Sequence, residues 1–196
     1  MSQKVLIVID MQNDFCVGSL ANEEAVKIIP NIVTLVQEFH KNGGRVIFTK
    51  DTHHKESYMN SPEGKKLPVL HCIDGTWGWE IVKELVDVME ENDTIICKPT
   101  FGYQGWFDEL GPKDEVYMCG TCTDICVVSN ALAIKTTLPE VEVHVAANAC
   151  AGLTPEKHEA ALTVMESCQC DVNDYTDIQG VPLNGLYIPL IFKHKE

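Results

Sequence analysis

Four short apolar runs are followed by residues that can do chemistry. Asp10 follows Val5–Ile9, Asp51 follows Arg45–Thr49, Lys98 follows Thr94–Cys97, and a glycine-led segment with two cysteines follows Val116–Cys119. That segment reads Gly120-Thr121-Cys122-Thr123-Asp124-Ile125-Cys126-Val127. It turns from a run with strand character into one with helical character. Cys126 is expected near the helix start, where free backbone N–H groups and the helix dipole favour a thiolate. A free thiol of pKa near 8.5 is only a few per cent ionised at neutral pH. A cysteine nucleophile here therefore needs a neighbouring base or cation, and Asp10 and Lys98 are the candidates. Cys119 and Cys122 form a C-x-x-C, but Cys119 closes an apolar run, so the pair reads as packing rather than as a redox couple.

A second group is Asp51-Thr52-His53, followed by Glu63 and His71. Residues two apart on extended chain face the same side, so Asp51 and His53 can point together while His54 points away. A third ligand from the long irregular stretch 52–78 would complete a protein triad with open positions for water or substrate. Such mixed carboxylate and imidazole ligation suits one divalent metal ion: zinc, iron or manganese. The same spacing also fits a satisfied surface network. Aromatic residues Phe15, Tyr58, Trp77, Trp79, Phe101, Tyr103 and Trp106 fall in loops rather than in helical stripes. A flat ring could stack there, and Phe15, close after Asp10, is the foremost candidate wall.

The elements that must position these groups follow from periodicity. The apolar runs predict strands, with a fifth at Val141–Ala146. Helical spacing is found over Ala25–His40 (Val26, Ile29, Val33, Val36, Phe39), Ile81–Glu91, about Thr123 to Thr137, and Pro155–Cys168. Leu183–Phe192 reads as an edge strand or packing tail. Fully apolar strands alternating with helices predict an α/β fold. It is expected as a three-layer α/β/α, Rossmann-like arrangement: a mostly parallel sheet of about six strands with helices on both faces. Residues 1–196 are expected to form a single domain. In such folds ligands bind beyond the carboxyl ends of the strands, which would gather Asp10, Asp51, Lys98 and the 120–126 segment on one edge. No GxGxxG or GxxxxGK[ST] supports a dinucleotide or P-loop site.

Composition narrows the function classes. Fifteen basic against 29 acidic residues give a formal charge of −14, which disfavours nucleic acid and anionic lipid as partners. No apolar run reaches the roughly 18 residues of a membrane span, and the start of the chain does not read as a secretion signal. Nine cysteines, an odd number with several inside apolar runs, predict free thiols and a reducing, cytoplasmic home.

Taken together, these pieces resemble the isochorismatase-like cysteine hydrolases, and within them the nicotinamidase/pyrazinamidase branch. The resemblance runs from about Val5 to Met165. It is carried by Ile9-Asp10-Met11-Gln12-Asn13-Asp14-Phe15, by Lys98, by the 120–127 segment, and by Asp51-x-His53 with His71-Cys72-x-x-Gly75-Thr76. It implies a catalytic triad of Asp10, Lys98 and Cys126, and a cis peptide at Thr121–Cys122. It also implies an oxyanion hole from the backbone amides of Cys122 and Cys126. The implied metal ligands are Asp51, His53 and His71; in some nicotinamidases a glutamate from the intervening loop joins them, and Glu63 sits close to that place, as a ligand or as a residue orienting a water. The implied reaction is hydrolysis of nicotinamide, and of pyrazinamide, with release of ammonia through a cysteine thioester, in NAD salvage. A homo-oligomer is the assembly the resemblance suggests. Nicotinamidases carry an aromatic shortly before the metal-binding histidine; Lys66–Leu70 here has none, leaving Trp77, Tyr103 or Trp106 to supply the wall. Two alternatives stand beside this reading. One is a related cysteine amidohydrolase acting on a carbamoyl or ureido compound. The other is a non-catalytic metal or thiol sensor.

Overall fold

The computed structural model describes residues 3–174. Six strands, β1 (Lys4–Ile9), β2 (Arg45–Asp51), β3 (Thr94–Lys98), β4 (Glu115–Thr121), β5 (Glu142–Ala151) and β6 (Asp171–Asn173), form one sheet in the order β3-β2-β1-β4-β5-β6. Every pairing is parallel. The helices are α1 (Asn13–Cys16), α2 (Glu23–Lys41), α3 (Lys55–Tyr58), α4 (Pro62–Lys66), α5 (Lys83–Val86), α6 (Trp106–Glu109), α7 (Val128–Thr137) and α8 (Pro155–Ser167). β1 is central, and Val5–Ile9 is fully buried, as a strand covered on both faces must be. From β1 the chain moves outward through β2 to β3, then returns on the other side of β1 as β4. The order reverses between β1 and β4, and a crevice opens at the carboxyl ends of such a pair. Asp10 leaves one of these strands and the 120–126 segment leaves the other.

Gly120 makes this junction possible. Its φ is +118°, and a Cβ there would lie 2.1 Å from the Ile9 carbonyl oxygen, so any side chain would push β4 off β1. The expected α/β sheet with helices on both faces is the observed one, with these differences. The stretch Ile81–Glu91, expected as a helix, is helical only over Lys83–Val86. Ile81 instead bridges to Gln12, and the Val82 N–H is taken by the Met11 carbonyl, which withdraws them from the helix. In α2 the buried stripe is Ala25, Ile28, Ile29, Ile32, Leu35, Val36 and Phe39, and Val26 is exposed. The sixth strand is Asp171–Asn173; Leu183–Phe192 lies outside the described residues. Among the described residues no helix is long and apolar enough to cross a membrane.

Candidate active site

Asp10, Lys98 and Cys126 come together at the β1/β4 switch point, all buried. Asp10 takes a left-handed backbone conformation, φ 49°, which aspartate tolerates better than most residues. Its carboxylate is held from two sides. Lys98 Nζ lies 2.6 Å from Oδ2, and the Thr49 hydroxyl donates to Oδ1 at 2.6 Å. Thr49 Oγ1 also accepts the Asp10 N–H at 3.2 Å. Lys98 in turn donates to the Thr100 carbonyl at 3.0 Å.

Cys126 does not sit at an open helix N-terminus. It lies inside a wide π-helical turn, Thr123–Val127, that precedes α7. The Val127 and Ile125 N–H groups both bond the Cys122 carbonyl, and the Thr121–Cys122 peptide is cis. Thr123 Oγ1 meets His158 Nδ1 at 2.8 Å, and Asp124 accepts the Leu153 N–H at 2.9 Å; these contacts pin the turn to α8 and its approach.

Burial sets the direction for Cys126 and Asp10, and is overcome at Lys98. It pushes the Cys126 thiol well up, the Asp10 charge adds to this, and Lys98 opposes it. The expected thiolate-favouring environment is thus corrected: burial raises the thiol rather than lowering it, so the sulfur needs a base to take its proton. Burial also raises the Asp10 carboxyl, against the pull of Lys98 and with the push of Asp51. Burial alone would lower Lys98, but the negative groups around it hold it above its usual value. A buried carboxylate of raised pKa against a thiol, with a fixed ammonium beside both, is suited to moving a proton from sulfur to oxygen.

Asp51, His53, Glu63 and His71 form the second group, each offering one ligand atom within 4.8 Å of the others. β2 delivers Asp51. His53 pairs as an isolated parallel bridge with Ile73. Its N–H bonds the Cys72 carbonyl, and its carbonyl takes the Asp74 N–H, so the His53 and His71 segments are laced together. His53 Nε2 is 3.0 Å from Asp51 Oδ2. His71 Nε2 is 3.6 Å from both Asp51 Oδ2 and Glu63 Oε1. His71 Nδ1 donates to the Val69 carbonyl at 2.9 Å, which fixes the ring and leaves the Nε2 lone pair toward the carboxylates. Burial would raise Asp51, but His53, His71 and Lys98 hold it well below the usual carboxylate range. Asp51 Oδ1 and His53 Nε2 are buried without a well-formed hydrogen bond. Two imidazoles and two carboxylates with donor atoms left over fit a divalent zinc, iron or manganese ion. Lys98 Nζ, 3.9 Å from Asp51 Oδ1, joins this cluster to Asp10.

A cavity of about 420 Å³ opens beside the cluster, lined in part by His53, Glu63, Tyr58, Lys66, Pro99 and Phe101. The Phe15 ring stands 5.7 Å from that of His71 and, like Tyr103, is absent from that cavity's lining. The Tyr58 ring lies 4.8 Å from His53 and 5.2 Å from His71. One expected wall is corrected. Trp106 is fully buried and offers no surface to a ligand. Its indole N–H is spent on Asn130 at 3.0 Å. Tyr103 packs edge-on against Trp106 and is absent from the cavity lining. Trp77 is 63% exposed, and among the described residues its ring pairs with neither His53 nor His71.

Sequence reasoning missed several supporting residues. Thr49 is one. Gln12, fully buried, donates to the Asp51 and Trp79 carbonyls at 2.9 and 2.8 Å and accepts the Asp51 N–H at 2.7 Å. Asp14 Oδ2 accepts the Cys72 N–H at 2.7 Å. Asn130 is tied to the Cys126 carbonyl at 2.8 Å. Gln12 and Asp14 lie in the first-strand segment already singled out; nothing local marks Thr49 or Asn130.

Comparison with known proteins agrees with this fold. The Isochorismatase domain model matches residues 4–177. The chain is 30% identical over 184 residues to a nicotinamidase of Saccharomyces cerevisiae, covering 69% of this chain and 85% of that one. The structure of the nicotinamidase/pyrazinamidase PncA from Bacillus subtilis superposes with a TM-score of 0.76 at 28% identity, covering 88% of this chain and all (100%) of that one. The pyrazinamidase of Pyrococcus horikoshii in complex with zinc gives a TM-score of 0.74 at 27% identity, covering 88% and 99%. With the domain match over most of its length and these relatives beside it, the chain belongs to the isochorismatase family, on its nicotinamidase side.

Proposed function

We propose that the protein hydrolyses the carboxamide of nicotinamide, and of pyrazinamide, through a thioester on Cys126. The observation that carries this reading is the convergence of Cys126, Asp10 and Lys98 beside a buried four-ligand cluster, with Lys98 bridging the two. Asp10 takes the thiol proton while Lys98 holds the carboxylate in place. The sulfur attacks the amide carbon, and the carbonyl electron pair moves onto oxygen. The backbone N–H groups of Cys122 and Cys126 hold that oxyanion. Protonated Asp10 gives its proton to the nitrogen, the C–N bond breaks, and ammonia leaves. Asp10 then takes a proton from water, whose oxygen attacks the thioester; the carboxylic acid departs and the thiol is restored. Asp51, His53, Glu63 and His71 would hold the divalent ion, a Lewis acid that binds and orients the substrate when present. Phe15, half-buried and packed on the His71 imidazole, offers a ring face to a flat heterocycle.

The test is ammonia release from nicotinamide, pyrazinamide and an N-carbamoyl amino acid by the metal-replete protein. Release from the two ring carboxamides supports the reading. Release from the carbamoyl compound alone would overturn the substrate while keeping the chemistry. That outcome has a rationale in the absence of an aromatic over Lys66–Leu70.

A further inference from the structure

We propose that Asn130 is a positioning residue that couples the Cys126 turn to the wall of the cavity beside the cluster of His53 and Glu63; the inference rests on the hydrolase reading above. Asn130 is the third residue of α7 and is fully buried. Its side-chain amide spends both N–H groups and uses its oxygen twice. Nδ2 donates to the Cys126 carbonyl at 2.8 Å and to the Phe101 carbonyl at 3.0 Å. Oδ1 accepts the Tyr103 N–H at 2.8 Å and the Trp106 indole N–H at 3.0 Å. That is the full capacity of a carboxamide.

The partners divide into two bodies. One is the π-helical turn that carries the nucleophile. The other is the loop from Pro99 to Gly105, whose first residues Pro99, Thr100 and Phe101 line the cavity. Lys98 grips the same loop at the Thr100 carbonyl. The loop is therefore held at adjacent carbonyls by two groups, one bonded to Asp10 and one to the backbone of Cys126. Trp106, filling the interior beside Asn130, keeps water from these bonds. Asparagine is a poor residue for a helix interior, and here all its hydrogen-bonding capacity serves tertiary contacts. A wide turn holds its register less firmly than an α-helix, so an external tie at the Cys126 carbonyl fixes where the sulfur points. Geometry at an attacking atom is worth large factors in rate.

Three variants separate this role from mere stability. Asn130→Asp keeps the oxygen that accepts from Tyr103 and Trp106 but loses the donors to Cys126 and Phe101. Trp106→Phe removes one donor to Asn130 and leaves the ties to Cys126 and Phe101. Asn130→Ser retains a hydroxyl that can bond the carbonyl four residues back, that of Cys126, but cannot reach Phe101. The readouts are kcat and KM for ammonia release, and the rate of Cys126 alkylation by iodoacetamide, read by peptide mass spectrometry. Asn130→Asp is expected to lower kcat by about tenfold or more and to change the alkylation rate of Cys126 by a similar factor. Trp106→Phe should leave alkylation within about twofold. Asn130→Ser should do the same while raising KM, and it carries the test if Asn130→Asp does not fold. Wild-type kcat, KM and alkylation in folded Asn130→Asp would overturn the proposal, as would equal losses in all three variants. Alkylation needs no substrate. If wild-type Cys126 alkylates but no ring carboxamide is hydrolysed, the substrate reading fails and the role of Asn130 is decided by alkylation alone.

Discussion

The sheet carries a histidine–carboxylate cluster at each end, and the two are built differently. At the carboxyl end stand Asp51, His53, Glu63 and His71; at the amino end stand Glu115, Glu142 and His144. Residue types are shared, but the surroundings are not. Glu115 already has a cation, Lys4 Nζ at 3.4 Å, and a donor, the Tyr117 hydroxyl. His144 lies stacked on Tyr117 at 4.6 Å, with Asp171 3.4 Å from its Nδ1. Glu142 and Asp171 are 75% and 66% exposed, so water solvates them. At the carboxyl end the nearest ammonium, Lys98, is closest to Asp10, His71 is fixed through Nδ1, and the donors face one another in the interior. Gathering two carboxylates and two imidazoles in or near the interior, with a single ammonium shared with Asp10 as counter-charge, is costly. Such a cluster suits an ion, whereas one whose acids are solvated and paired at the surface is an ordinary salt-bridge network.

The sharpest break between the two ends is expected at the nucleophile. Cys126→Ala should reduce ammonia release by more than about a hundredfold with the thermal midpoint little changed; residual activity above that level would exclude covalent catalysis through this sulfur. Next in size is the metal. His71→Ala should lose the bound ion in elemental analysis, while His144→Ala should keep one ion per chain and wild-type turnover. Equal losses in both variants would erase the distinction drawn here. The smallest effect is on alkaline stability. Burial pushes the thiols of Cys16 and Cys150 up to about 12, above their value in the unfolded chain. A folded pKa raised in this way contributes stability that is fully present below the unfolded pKa, about 8.5. That stability is lost as pH rises from there toward 12. The thermal midpoint should fall between pH 9 and 11, and Cys150→Ala should flatten the fall.

Much of the site was legible because strand ends are marked in sequence by where an apolar run stops. Asp10, Asp51 and Lys98 each close such a run, and parallel topology brings run ends to one edge whatever the strand order. His53, Glu63 and His71 could be named from spacing and resemblance, and they converge as expected. What was not legible depends on partners far along the chain. Thr49 reaches Asp10 across 39 residues, and Asn130 reaches Phe101 across 29. Trp106 looked like a wall because an aromatic in a loop can face a ligand or plug the interior, and only its bond to Asn130 decides which. The surroundings of Cys126 were only partly legible, because position at a helix start can be read from sequence, whereas depth cannot. The 81–91 stretch has helical spacing, but Ile81 and Val82 are claimed by the Gln12 segment.

The most direct test of the account is to strip the protein of metal with a chelator and titrate zinc back while following ammonia release from nicotinamide. The account predicts that turnover is lost on stripping and returns in proportion to zinc, saturating at about one ion per chain. Undiminished turnover by the stripped protein, or none from the refilled one, would contradict it.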